Sequence, residues 1–364
     1  MGTREALYKL LRIAIGNESD LSLPADVSLA ELMDLSEKVG INGLIVCGIQ
    51  KLVDNGLDLI SGNEDEIEHR VTWIGRSMMI GKKTQIQWES IQKLVALFAS
   101  KGIVTVGLKG VTVGQLYPNP MHRRSCDFDC YLLKKDEDGS LGLAYEEGNQ
   151  VIESRGIAVD RRIYVHSIFR FERLTVENHH YLAAVKLSKR HRKMDEFLRS
   201  LLVNEPLLPV MDSQLMTGST MFNAVFLTHH AHRHMLNEYM PIQLLADWAL
   251  FIKGNATLEW QRFWEYADEF GMLRFAQSMT RLACKLLGAT VPFELPQDEE
   301  ADTLLEAEMW ELPEVSHGQK SLFARRLSII SSLIRARRKY KVFYDRSSFW
   351  MIVAYVKGYF LGKE

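Results

Sequence analysis

The sequence predicts an α+β protein, with a small mixed β-sheet in the middle of the chain and helical regions on both sides. Three observations carry this. Apolar residues recur at helical spacing through residues 1–100. Between residues 101 and 185 the pattern changes to β-branched and alternating runs. From residue 183 onward the helical spacing returns. The boundaries divide the 364 residues into an N-terminal helical region packing on the core (1–100), an α/β core (101–185) and a C-terminal helical domain (186–364).

Within residues 1–100, Ser28 and Glu31 fit a capping box in which Ser28 caps and Glu31 reaches back. The helix after it ends near Gly40, and an apolar run over 41–53 closes at the Asp54-Asn55-Gly56 turn. Residues 64–100 lack proline and repeat apolar positions at Ile67, Val71, Ile74 and Met78, then Ile86, Ile91, Leu94 and Phe98, with Gly81 a point of kinking or division. Gly102 ends the helix. Ile103-Val104-Thr105-Val106 suits a buried strand because branched side chains pack well on a pleated surface. Residues 111–117 fit a short helix, closed by the Pro118-Asn119-Pro120 turn. A strand over 125–133 follows, then a polar loop (134–140), a helix (141–154) and strands at 157–163, 166–171 and 174–181. Beyond them, 191–202, 217–234, 241–253, 258–270 and 273–287 read as helices. The acidic stretch 298–314 reads as a solvated loop or helix face.

Composition excludes several classes. The formal net charge of -2 gives no global attraction to nucleic acid or anionic membrane. Four cysteines without a C-x-x-C pair argue against a disulfide framework or a cysteine-rich zinc site. Cys126 and Cys130 fall on the Phe128 side of their strand by parity, as buried small hydrophobes. No apolar run spans a bilayer, and the start has neither a signal-peptide core nor the myristoylation pattern, so the expected location is cytoplasmic. A basic cluster (Arg325, Arg326, Arg335, Arg337, Arg338, Lys339, Lys341) precedes the apolar segment 349–361. It reads as a core helix with a solvated basic face, or as a contact for RNA or a membrane surface.

The chemistry concentrates in residues 108–131. Asp127 and Asp129 flank Phe128, so strand alternation puts both carboxylates on one face. Two carboxylates this close repel unless a cation lies between them, and Mg²⁺ prefers oxygen ligands of this kind beside substrate phosphates. A D-x-D alone also fits two solvated side chains. Lys109-Gly110 offers charge and close backbone approach to a phosphate, and Arg123 offers a fork for phosphate oxygens. Parity along 174–179 places Thr175, Glu177 and His179 together, which makes Glu177 the candidate third carboxylate, with Glu172 and Asp160 as weaker alternatives. His229, His230, His232 and His234 fall within six residues. His230 and His234 are spaced as a helical metal pair, with Asp247 a candidate third ligand, or they line the cleft with His179.

The run Leu108-Lys109-Gly110, Tyr117-Pro118-Asn119-Pro120, Arg123, Asp127-Phe128-Asp129 resembles the L-K-G…Y-P-x-P-x-x-R-x-x-x-D-x-D signature of bacterial nucleotidyltransferase-like proteins of the DNA polymerase β superfamily. Val176-Glu177-Asn178-His179 resembles that family's following strand, with Asn178 in place of an apolar residue. His229-His230-Ala231-His232, Asp247-Trp248, Trp260 or Trp264, and Leu287-Gly288 to Pro292 resemble its helical part, so the likeness covers about residues 90–295. One departure stands out: Gly110-Val111 replaces the superfamily's Gly-Ser. Phosphate binding then falls to Lys109 and backbone N–H groups, or is weakened.

The resemblance implies a nucleotidyltransferase core using Mg²⁺ (or Mn²⁺) held by Asp127, Asp129 and Glu177. Lys109, Gly110 and Arg123 would bind the nucleoside triphosphate. NMP would pass to a hydroxyl acceptor of unspecified class (protein, small molecule, sugar or RNA). Two other readings remain at this stage. One is a catalytically weak or inactive scaffold that binds nucleotide or a partner. The other is a histidine-metal phosphohydrolase.

Overall fold

A computed structural model describes residues 2–24, 27–311 and 336–344. Three helices open the chain: α1 (Thr3–Ile15), α2 (Leu29–Lys38) and α3 (Asn42–Asp54). Ser28 caps α2 by accepting from the Glu31 N–H, but Glu31 does not reach back. Its carboxylate accepts from the Thr3 hydroxyl instead. The carbonyls at the end of α1 receive two ammonium groups, Lys51 on Ile13 and Ala14 and Lys253 on Ile15 and Gly16. Cations there suit the negative end of the helix dipole. Arg12 and Asn17 donate to the carbonyls of Leu286 and Leu287, so these first helices are tied to the far helical region as well as to the sheet.

Helix α4 (Glu64–Ala99) runs unbroken through Gly81, which passes beside the His122 ring with no kink needed. Its C-terminal half is buried through Trp88, Ile91, Leu94 and Phe98, whereas Val71, Met78 and Met79 on the first half are exposed.

The strands are β1 (Ile103–Gly107), β2 (Phe128–Lys135), β3 (Leu141–Leu143), β4 (His166–Phe171), β5 (Leu174–His179), β6 (Leu208–Pro209) and β7 (Met216–Thr217). They form one mixed sheet in the order β4-β5-β2-β1-β7-β6, with β3 pairing the far end of β2. β2 runs antiparallel to β1 and parallel to β5. The sheet extends past the 101–185 stretch, because β6 and β7 arrive only after α7 (Lys189–Asn204). The helix expected over 141–154 begins as strand β3, and only Tyr145–Glu153 (α6) is helical. In place of the strand expected over 157–163 there is an isolated bridge, Asp160 to Ile168. Asp160 accepts from the Arg162 N–H and side chain, which turns the chain away from the sheet.

Two cores sandwich the sheet. Phe128, Cys130, Leu132, Phe169 and Val176 face α4 and Ile152 of α6. Val106, Tyr131 and Leu133 face a larger core built from α1–α3 and from the helices α7, α8 (Thr220–Asn237), α9 (Ile242–Gly254), α10 (Trp260–Glu269) and α11 (Leu273–Leu287). Cys130 is buried as parity predicts, but Cys126 is exposed: the strand begins only at Phe128, so alternation does not extend back to it.

The acidic stretch is not simply solvated. Asp298 caps α12 (Glu299–Glu308) and pairs with Arg274, while Asp302 pairs with Arg281. Arg337–Phe343 forms a last described helix, and Lys339, expected on a solvated face, is buried with its ammonium 2.8 Å from Glu308. Arg325, Arg326, Arg335 and the segment 349–361 lie outside the described residues. Among the described residues, no helix is long and apolar enough to cross a membrane.

Candidate functional site

Register builds the site. In the parallel β2–β5 pair, Asp129 lies directly opposite Glu177. Laterally paired strand residues point to the same face. His179 follows Glu177 on that face, and β4 brings His166 opposite His179. Asp127 sits at the mouth of β2, where the Ser125 hydroxyl donates to its carbonyl at 2.8 Å. One ligand atom from each of Asp127, Asp129 and Glu177 lies within 4.8 Å of the others. The other two carboxylates weighed point elsewhere: Glu172 binds Lys93 and Ser90 of α4, and Asp160 pairs with Arg162.

Lys109 faces the same cleft. Its ammonium is 3.0 Å from Asp129 Oδ2 and 3.9 Å from Asp127 Oδ1. His179 Nε2 donates to the other oxygen of Asp129 at 3.1 Å and lies 3.7 Å from Glu177. Asp129 is therefore gripped on both oxygens. Burial alone would raise its pKa, but the hydrogen bonds from His179 and Lys109 outweigh that and hold it below the usual carboxylate range. Burial would lower His179, but Asp129 and Glu177 push it up to about 9, so it is cationic at neutral pH. Asp127 is raised, first by burial and then by the charges of Asp129 and Glu177. Mutual repulsion of this kind is what a cation between the carboxylates would relieve.

The turn after β1 requires glycine. Gly110 has φ +66°, a conformation L side chains rarely adopt, and a Cβ there would meet Ser125 Oγ at 3.0 Å. Val111 then starts the short helix α5 (Val111–Gly114).

Arg123 is placed differently from a free phosphate fork. It is buried at 7% exposure, and its Nε and Nη2 donate to Asp247 Oδ1 and Oδ2 at 3.0 and 2.6 Å. Tyr117 also donates its hydroxyl to Asp247 Oδ1, at 2.6 Å. Two residues of the Y-P-x-P-x-x-R run thus converge on α9 and clamp the helical region to the loop that carries the D-x-D. The same contact takes Asp247 away from the histidine-metal reading, since its oxygens are already committed.

The histidines of α8 separate by helix face. The His230 and His234 rings meet edge to face, with centroids 4.6 Å apart. His230 feels the charges of Lys109 and Asp129, so it overlooks the cleft, and burial holds it well below the usual histidine value. His234 bonds Glu238, and His232 donates to the Phe343 carbonyl at 3.1 Å. Among the described residues, the three-member groups able to hold a metal are Asp127-Asp129-Glu177 and His166-Glu177-His179. His166 was not picked out from the sequence. Its only signal is the antiparallel register that sets it opposite His179.

Residues 27–288 match the family described as uncharacterised nucleotidyltransferase. The chain belongs to this nucleotidyltransferase family. Among curated proteins and among solved structures, none matches it significantly. Membership agrees with the α+β architecture and the mixed sheet. It makes transfer of a nucleotidyl group the general chemistry of the family, and a nucleoside triphosphate the implied substrate.

Proposed function

We propose that this nucleotidyltransferase moves NMP from a nucleoside triphosphate to a hydroxyl acceptor with the help of Mg²⁺ or Mn²⁺. The observation that supports this most is the group of Asp127, Asp129 and Glu177, with ligand atoms within 4.8 Å and Lys109 in the same cleft. Three carboxylates form a hard, all-oxygen donor set, which suits Mg²⁺. When bound, the ion would supply charge neutralisation at the transferring phosphoryl group and activation of the acceptor oxygen. The chain's own residues do the rest. Lys109, with Nζ between the two aspartates, would swing to the triphosphate and offset its negative charge. The Gly110 turn would let backbone N–H groups approach the phosphates, in place of the serine that Val111 replaces. Arg123, fixed by Asp247, would act as a positioning residue for the loop that carries Asp127. His230, held neutral, would face the incoming acceptor.

The test is transfer of label from each α-labelled NTP in the presence of Mg²⁺ or Mn²⁺ and cell extract as the acceptor source. Transfer that stops in the Asp127→Ala, Asp129→Ala double variant supports the mechanism. Transfer that survives it sinks the mechanism.

One observation favours a second reading, a scaffold that binds nucleotide or a partner without turnover. Asp129 is already satisfied by two of the protein's own cations, Lys109 at 3.0 Å and His179 at 3.1 Å. A protein that binds NTP but transfers no label from any of the four would fit that reading.

A further inference from the structure

A narrow slot lies at the N-terminal end of β2, on the α4 side of the sheet. Counted with the open solvent at its mouth, it spans about 400 Å³ of space not taken by protein atoms, of which only a small part is enclosed. Asp127 and Val111 stand at its mouth, Phe128 forms one wall, and Thr84, Gln87 and Trp88 come from α4. These α4 positions follow the helical stripe that Ile91 continues.

Two polar groups in the slot lack partners. Gln87 is 9% exposed and Trp88 8%. Among the described residues, neither the Gln87 amide nor the Trp88 indole N–H has a hydrogen-bond partner. The other polar groups are occupied: Thr84 donates to the Ile80 carbonyl and Ser125 to the Asp127 carbonyl. Neither group is sealed from solvent, so both stay open to pair with a ligand in the slot, next to Asp127.

We propose that this slot receives the nucleobase of the substrate nucleotide, with Gln87 reading the base edge and Trp88 providing an aromatic wall and an N–H donor. The proposal rests on the nucleotidyl-transfer reading and adds where the base is recognised. A narrow and mostly apolar space with one amide and one indole N–H matches a planar heterocycle with donors and acceptors on its rim. It does not match a sugar or peptide acceptor, which would leave many polar groups unpaired there. The amide offers a donor and an acceptor side by side, as adenine pairing requires. Met121, also on the wall, is flexible enough to adjust to the ring. The cleft under His230 lies toward the opposite face of the sheet and stays free for the acceptor.

The experiment is isothermal titration of the full chain with tripolyphosphate and with ATP, GTP, CTP and UTP, each with Mg²⁺. Gln87→Leu and Trp88→Phe are titrated alongside. Gln87→Leu keeps side-chain bulk, Trp88→Phe keeps an aromatic ring but removes the N–H and part of the volume, and circular dichroism checks that each folds. At least one NTP is expected to bind on the order of 10-fold tighter than tripolyphosphate. Gln87→Leu should then bring the four NTPs to within about two-fold of one another while tripolyphosphate affinity stays unchanged. Trp88→Phe should weaken the preferred NTP and leave tripolyphosphate alone. NTPs that bind no tighter than tripolyphosphate would overturn the base slot and leave the transfer reading standing. So would selectivity that persists in Gln87→Leu. Failure of both NTPs and tripolyphosphate to bind would remove both readings.

Discussion

Replacing Arg123 by Met should destabilise the protein by about 3–5 kcal/mol, the usual cost of removing one member of a buried ion pair. The structure gives the reasons. Arg123 and Asp247 are 7% and 4% exposed at their side chains, so water cannot replace a lost partner. The guanidinium makes two of the three side-chain hydrogen bonds on Asp247, at 3.0 and 2.6 Å, and Tyr117 makes the third. In Arg123→Met the carboxylate is left buried with the tyrosine hydroxyl alone. The loss should couple: with Asp247→Leu added, the double variant should cost clearly less than the sum of the single ones, since no orphaned charge remains. Tyr117→Phe alone should cost about 1–2 kcal/mol. Urea denaturation followed by circular dichroism, with midpoint and slope compared, measures the four variants against wild type. A change below about 1 kcal/mol in Arg123→Met, or simple additivity in the double variant, would refute the clamp. Loss of nucleotide affinity at unchanged stability would instead return Arg123 to the role of a direct phosphate ligand.

Three further outcomes follow from the same geometry. Saturating Mg²⁺ should raise the melting temperature of the native chain, worth about 2.7 kcal/mol at 100 times the dissociation constant, and this shift should vanish in Asp127→Asn. An equal shift in the variant would remove Asp127 from the metal site. Gly110→Ala should cost about 1–2 kcal/mol, because its backbone sits at φ +66° and the new Cβ would crowd Ser125. A thermal melt indistinguishable from wild type would count against the strained turn. Burial pulls His232 down to about 4. Since its unfolded value is near 6.5, its stabilising contribution is complete above about pH 6.5 and is lost as pH falls toward about 4, on the order of 3 kcal/mol for this group. His232→Gln should flatten the acid limb of stability against pH, and an unchanged slope would contradict the assignment.

Much of the architecture could be read from local patterns. The helices of the second half appear within a few residues of their expected limits: α10 and α11 bury an apolar stripe on one face, while α9 is apolar enough to be buried almost all round. Strands β4 and β5 emerge from alternation in the same way. The errors share a cause. β3, β6 and β7 have two or three residues each, too few for any periodicity, and they exist because a neighbouring strand edge accepts them. Residues 157–163 alternate like a strand, but Asp160 ties its own backbone into a turn with Arg162. Cys126 shows that parity holds only inside a strand.

The site divides along the same line. By itself the sequence determined that Asp127 and Asp129 share a face, that Glu177 and His179 share another strand's face, and that Lys109-Gly110 stands at a turn. Those relations are local and depend only on the two-residue period of a strand. Only the tertiary structure decided that Asp129 and Glu177 lie side by side, that His166 joins them, and that Arg123 and Tyr117 spend their donors on Asp247. Parallel register and helix docking join residues 48 to 130 positions apart, and no local period encodes which partner lies across the gap. What brings them together is the burial of two apolar faces of one sheet, and the carboxylates and cations take their places as a result.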